Sequence, residues 1–141
     1  MLDAAAKGAV NFHDGPLPRY AGLNAPVWAQ INGEQAHGIT WHMIEAGIDE
    51  GDILAQATFP IAADDTALTL NTRCYEAAIE TFPGLVDQLA TGAPTRLAQD
   101  LSQRSYFGLH ARPAQAAVLD FAQPTEDLLR LVNTKGTTRS P

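Results

Sequence analysis

Cysteine is all but missing from this chain: Cys74 is the only one in 141 residues. A single thiol excludes an internal disulfide and a thiolate metal cluster, and it fits a reducing compartment. Cationic residues are scarce too, with nine Lys and Arg against sixteen Asp and Glu and a formal net charge of -7. They form no cluster, so the extended phosphate-neutralising face that nucleic-acid binding requires is not expected. No stretch approaches the ~20 apolar residues of a membrane span. The opening residues, MLDAAAKGAV, are too short and too weakly apolar for a secretory signal. The resulting expectation is a cytoplasmic protein with no membrane or nucleic-acid partner. Phosphate-binding glycine loops of either common type are absent, as are internal repeats and low-complexity tracts.

What is present is 45% hydrophobic residues, enough for one core of ordinary size. Residues 2 to 7 read as the end of a helix stopped by Gly8, and Ala9 to Phe12 as a short buried strand. A helix is predicted from Asn24 or Ala25-Pro26 through Val27, Trp28 and Ile31, ended by Asn32-Gly33. Two strand candidates follow, His37 to Ile44 and Asp52 to Ile61, as a hairpin with an unusually long connection. Long connections inside small domains tend to be functional. Ala67, Leu70, Cys74, Ala78 and Phe82 recur at helical spacing behind an Asp65 or Thr66 cap, with Pro83-Gly84 expected to kink or divide that helix from Leu85 to Ala90. Leu97 to Phe107 has no clear period, Ala116 to Phe121 reads as a short strand, Pro124 to Val132 as a last helix, and Thr134 to Pro141 as a tail.

Three polar side chains suggest chemistry. Asn11 and His13 are two apart on an extended segment, which puts both on one face with Phe12 on the other. Asp49 lies in the glycine-flanked connection, close to Asp52. An amide, an imidazole and a carboxylate suffice to pass an acyl group between two nitrogens. The amide donates to the tetrahedral oxyanion, the imidazole donates a second bond and moves the proton, and the carboxylate orients the protonated imidazole. Each residue also has an ordinary reading, as a turn former, a hydrogen-bonded core histidine or a solvated acid, and spacing leaves Asp49 and Asp52 open. His37 and His42 are five apart on a strand and face opposite sides, which argues against a shared metal site. His42 is expected to back the site or sit in the core. Trp28 and Trp41 read as core aromatics, and Cys74 as an inert buried thiol.

The context of these residues resembles a known family. Asn11-Phe12-His13, Leu17-Pro18-Arg19-Tyr20, Gly22, Asn32-Gly33-Glu34, His37-Gly38-Ile39-Thr40 with His42, and Gly47-Ile48-Asp49-Glu50-Gly51-Asp52-Ile53-Leu54 are similar to the catalytic core of formyltransferases that use 10-formyltetrahydrofolate. The similarity runs over roughly residues 2 to 90. It implies an α/β fold, a partial Rossmann-like formyltransferase domain with a mixed sheet, lacking the N-terminal strands and part of the folate site that family members carry ahead of the motif. It further implies Asn11, His13 and Asp49 as catalytic residues, Asp52 as a bystander, and Ile44-Glu45-Ala46-Gly47-Ile48 as the loop facing the folate pterin.

Many members of that family carry Pro-Ser-Leu-Leu-Pro after the histidine, where this chain has Asp14-Gly15-Pro16-Leu17-Pro18. The variant resembles formyltransferases acting on sugar-like or peptide-synthetase amines, which implies an acceptor other than the ribonucleotide. Asp14 could hold an acceptor ammonium, although a turn-forming role is the simpler reading. The expected organisation is the C-terminal portion of a formyltransferase catalytic domain over residues 1–110, then the start of a small C-terminal region and tail over 111–141. The expected activity is formyl transfer from 10-formyltetrahydrofolate to a primary amine. A formyltetrahydrofolate hydrolase and a truncated, non-catalytic assembly module are the alternatives. A homo-oligomer or a partner chain is expected to cover the missing half.

Overall fold

Strict alternation in a four-residue strand sets the layout. In the computed structural model, which describes residues 8–113 and 118–134, β1 is Val10–His13 and pairs antiparallel with β3, Ala36–Met43. The register sets Asn11 opposite His42, Phe12 opposite Trp41 and His13 opposite Thr40. Opposed residues share a face. One face of the sheet is therefore polar and the other apolar. β4, Ile53–Pro60, completes the sheet in the order β1-β3-β4, again antiparallel, so the predicted hairpin forms. A register irregularity between Trp41 and His42 lets Leu54 join Met43 and Leu85 in the core.

The apolar face is covered by α2, Ala67–Ala90. Its start follows from local chemistry: the Thr66 side chain accepts the Thr69 N–H while Thr69 reaches back to the Thr66 N–H, a reciprocal cap. Ala67, Leu70, Cys74, Ala78 and Leu85 are buried, and Cys74 packs with Ile39, Phe12 and Phe59. Phe82, by contrast, is half exposed, and the helix is not divided at Pro83. Proline removes the N–H that the Ile79 carbonyl would accept. Both residues lie on the exposed side, where water can satisfy that carbonyl, and Leu85 beyond them anchors the last turns in the core.

A second group of elements gathers around Tyr20. α1, Ala25–Ile31, begins with Pro26 and ends at Asn32, with Gly33 at φ 68°, a left-handed position that suits glycine. Its Ala25 and Ala29 pack on Tyr20, and its Trp28 stacks on Phe107, which in turn stacks on Tyr20, with ring centroids 4.5 and 5.6 Å apart. The short β2, Ala21–Gly22, pairs parallel with β5, Tyr106–Phe107. Among the described residues the parallel pairing is thus confined to this separate ribbon, apart from the antiparallel main sheet. Between α2 and β5 the chain makes a single 3₁₀ turn, Leu101–Gln103, and α3, Thr125–Asn133, follows Pro124 as expected. The predicted helix over residues 2–7, residues 116 and 117 of the predicted 116–121 strand, and the tail from residue 135 lie outside the described residues, and Val118–Phe121 forms no strand. No described helix is long and apolar enough to cross a membrane.

Candidate functional site

The polar face of β1 and β3 gathers four groups. Asn11 Nδ2 lies 3.2 Å from His42 Nε2, and His42 Nδ1 donates to its neighbouring Met43 carbonyl at 2.8 Å. With a proton on Nδ1 for the Met43 carbonyl, His42 Nε2 is the acceptor for one of the two Asn11 amide hydrogens, and the other has no partner among the described residues. His13 is buried and its Nε2 donates to the Tyr20 carbonyl at 2.8 Å. That leaves Nδ1 facing Asp49 Oδ2 at 3.7 Å. Asp49 Oδ1 lies 3.5 Å from His42 Nε2, so the carboxylate bridges both imidazoles.

Asp49 reaches this place by an unusual backbone. Its φ is 55°, in the left-handed region that aspartate tolerates better than most side chains. Two residues on, Gly51 passes so close to the Met43 carbonyl oxygen that a Cβ would stand 1.9 Å from it. Glycine is therefore required there, and it lets the connection fold back over β3. The turn aims the carboxylate inward, where Oδ2 accepts the Gly22 N–H at 2.8 Å. Burial works against the charge, but the neighbouring His42, the hydrogen bond from Gly22 and the nearby His13 hold the Asp49 carboxyl below its ordinary value.

Supporting groups fix the loop that follows β1. Thr40 Oγ1 accepts the Leu17 N–H at 3.0 Å and donates to the Gly15 carbonyl at 2.8 Å, while Gln56 Nε2 donates to the Leu17 carbonyl at 2.9 Å. Thr40 is fully buried. His37 Nε2 donates to the Asp14 carbonyl at 2.8 Å, and burial pushes its pKa down to about 4, so it is a neutral structural ring. Burial also raises the Asp14 carboxyl from its ordinary value, against the pull of His13. Cys74 is buried and its thiol is pushed up to about 12, chiefly by desolvation.

The structure thus brings Asn11, His13 and Asp49 together and adds His42, which links the amide to the carboxylate. Asp52 does not join them: its backbone carbonyl accepts the Met43 N–H at 2.9 Å, closing the base of the connection. Ile44, Glu45, Ala46, Gly47 and Ile48 form an open rim beside the cluster, with Ile44 and Ile48 38% and 56% exposed. No group of three or more metal-ligating side chains occurs among the described residues. Sequence reasoning missed the pairing of His42 with Asn11, which only the β1–β3 register reveals, although the shared parity of Thr40 and His42 was a signal. It also missed residues 97–107, whose Gln99, Arg104 and Ser105 side chains hold the site's loops.

Comparison with known proteins gives this arrangement a context. Residues 1–86 match the family model described as formyl transferase. Among solved structures, the chain is similar to the N-formyltransferase of Helicobacter canadensis in complex with folinic acid and dTDP-3-aminofucose. That match has 25% identity and a TM-score of 0.81, over 88% of this chain and 46% of that one. It is likewise similar to WlaRD, a sugar 3N-formyl transferase with dTDP and 5-N-formyl-THF, at 25% identity and TM-score 0.77 over 88% of this chain and 45% of that one. HypX from Aquifex aeolicus, in complex with tetrahydrofolic acid, shares the fold at 21% identity and TM-score 0.80 over 94% of this chain and 23% of that one. The chain spans about half the length, or less, of these proteins.

Proposed function

The chain belongs to the formyl transferase family, and from that membership we propose that it carries the site for transferring a formyl group from 10-formyltetrahydrofolate to a primary amine. The observation that carries the reading is the convergence of Asn11, His13 and Asp49 on one sheet face, with a free Asn11 N–H beside an imidazole–carboxylate pair. The amine nitrogen attacks the formyl carbon, and the carbonyl electrons move onto oxygen. The second Asn11 N–H donates to that oxyanion, a type of contact whose loss typically costs ~100- to 1,000-fold in rate. Collapse breaks the bond to the folate nitrogen, which needs a proton, while the attacking amine must lose one. His13 Nδ1, with Asp49 Oδ2 beyond it, is the place where that proton is held between the two events.

The rim from Ile44 to Ile48 supplies exposed apolar side chains and backbone groups for the flat pterin of the donor. An amino sugar is the acceptor class we favour, supported by the aminosugar complex of the Helicobacter canadensis enzyme and by the Asp14-to-Pro18 variant of the loop. In this reading residues 1–110 form the catalytic portion, residues 111–141 begin a smaller C-terminal region, and a second copy or partner chain lies along the outer edge of β1. The test incubates the protein with 10-formyltetrahydrofolate and a panel of amino sugars and other amines while tetrahydrofolate release is followed. Release that depends on an amine is the expected result. Amine-independent release identifies a hydrolase instead, and neither release nor folate binding overturns the reading.

A further inference from the structure

Asp49 occupies a backbone conformation that few residues accept, and such conformations persist only where the surroundings over-determine them. The restraint comes from the segment after α2. Gln99 Nε2 donates to the carbonyl oxygen of Asp49 at 2.9 Å and to that of Gly51 at 2.7 Å, so one amide clamps the turn on both sides of Glu50. Arg104 Nη2 donates to the Ile48 carbonyl at 3.0 Å, and its Nε lies 3.5 Å from Glu50 Oε1. Leu97 and Ile53 exchange both backbone hydrogen bonds, at 2.8 and 2.9 Å, where the connection runs into β4.

The other end of the same segment holds the opposite wall. The Tyr20 N–H donates to Ser105 Oγ at 2.8 Å, the Ala21 N–H to the Ser105 carbonyl at 2.9 Å, and the Leu23 N–H to the Phe107 carbonyl at 2.8 Å. These are the residues whose backbone engages the catalytic pair: the Tyr20 carbonyl accepts from His13, and the Gly22 N–H donates to Asp49. Residues 97–107 therefore anchor both backbone groups that orient the imidazole and the carboxylate.

The geometry points to Gln99 as a positioning residue for formyl transfer: its two hydrogen bonds hold the Asp49 turn so that the carboxylate meets His13 and His42. Gln99 does not contact the reacting atoms; it acts through Asp49. The inference rests on the catalytic reading of Asn11, His13 and Asp49, and it adds a residue outside the stretch that matches the family model.

Gln99→Met keeps the length of the side chain and removes both donors. It is expected to lower kcat about 10- to 100-fold with KM for 10-formyltetrahydrofolate within about twofold, since slight misplacement of an aligned group falls on the chemical step. Placed on Asp49→Asn, the same change should lower kcat no further, because the charge it positions is already gone. Equal fractional losses in the two backgrounds overturn the inference. Gln99→Lys returns N–H donors at comparable reach and should keep kcat within about fivefold of wild type; losses as large as those of Gln99→Met also count against it. Hydrogen exchange at the Gly22 amide gives a readout without turnover. Gln99→Met should speed it while amides in the middle of β3 are unchanged. A Gly22 response in a protein that turns over nothing supports the positioning role and sinks the formyl-transfer reading. Turnover with no response of Gly22 or kcat does the reverse.

Discussion

Asp49→Asn isolates the charge at the centre of the site. Asparagine is the substitution best suited to the left-handed backbone at position 49, and its side-chain oxygen can still accept the Gly22 N–H, so the turn survives. What is lost is one negative charge, 3.7 Å from His13 Nδ1 and 3.5 Å from His42 Nε2. Unit charges near 4 Å at an effective dielectric of about 20 interact by about 4 kcal/mol. The Asp49 side chain keeps some solvent access, which reduces this to about 3 kcal/mol for the moment at which His13 carries the proton. That energy corresponds to roughly a 100-fold fall in kcat. Initial rates of amine-dependent tetrahydrofolate release at saturating donor measure it, with the thermal midpoint as a control for folding. A variant with an unchanged midpoint and kcat within about threefold of wild type would refute the imidazole–carboxylate argument.

His13→Ala should reduce amine-dependent release to background while unfolding stays cooperative; undiminished turnover rejects His13 as the proton carrier. His37 produces acid sensitivity: the unfolded ring takes a proton near 6.5 and the folded one only near 4, so its contribution is intact above 6.5 and lost as pH falls through that window. The loss approaches ~3 kcal/mol, and urea unfolding of His37→Gln should show a smaller stability drop between neutral pH and pH 4. An equal drop in that variant places the acid sensitivity elsewhere. The Cys74 thiol should resist a thiol-labelling reagent at mildly alkaline pH and react only as fast as the protein opens; rapid labelling of folded protein contradicts its burial.

Where the chain's own chemistry is local, the sequence reads well. Thr66 caps α2, Pro26 opens α1 and Gly33 closes it, each through contacts within a few residues. The β3–β4 hairpin and the one-sided placement of Asn11 and His13 follow from strand alternation. Resemblance pointed to Asp49 over Asp52 where spacing could not, and the physical difference is a left-handed turn that periodicity does not encode. His42 was underestimated because its contact with Asn11 depends on register between strands joined by a long connection. The segment Leu97–Phe107 was illegible for a similar reason. Gln99 and Ser105 act on backbone groups 48 to 85 positions away, and no repeat in Leu97–Phe107 announces them. Pro83 misled because proline's effect on a helix depends on which side it faces, which is set by tertiary packing.

The alternation of β1 carries one more consequence, for insertions and deletions. Phe12 fills the core against Trp41 and Tyr75, while its immediate neighbours Asn11 and His13 build the site. Sliding this strand by a single position along β3 would press an amide and an imidazole into the apolar layer over α2 and turn the phenyl ring toward the Asp49 carboxylate. A one-residue length change absorbed inside the strand would exchange the polar pair for the phenyl ring between the two faces of the sheet. Core packing and the candidate site lie on opposite sides of the same four residues, so an indel there cannot damage one and spare the other.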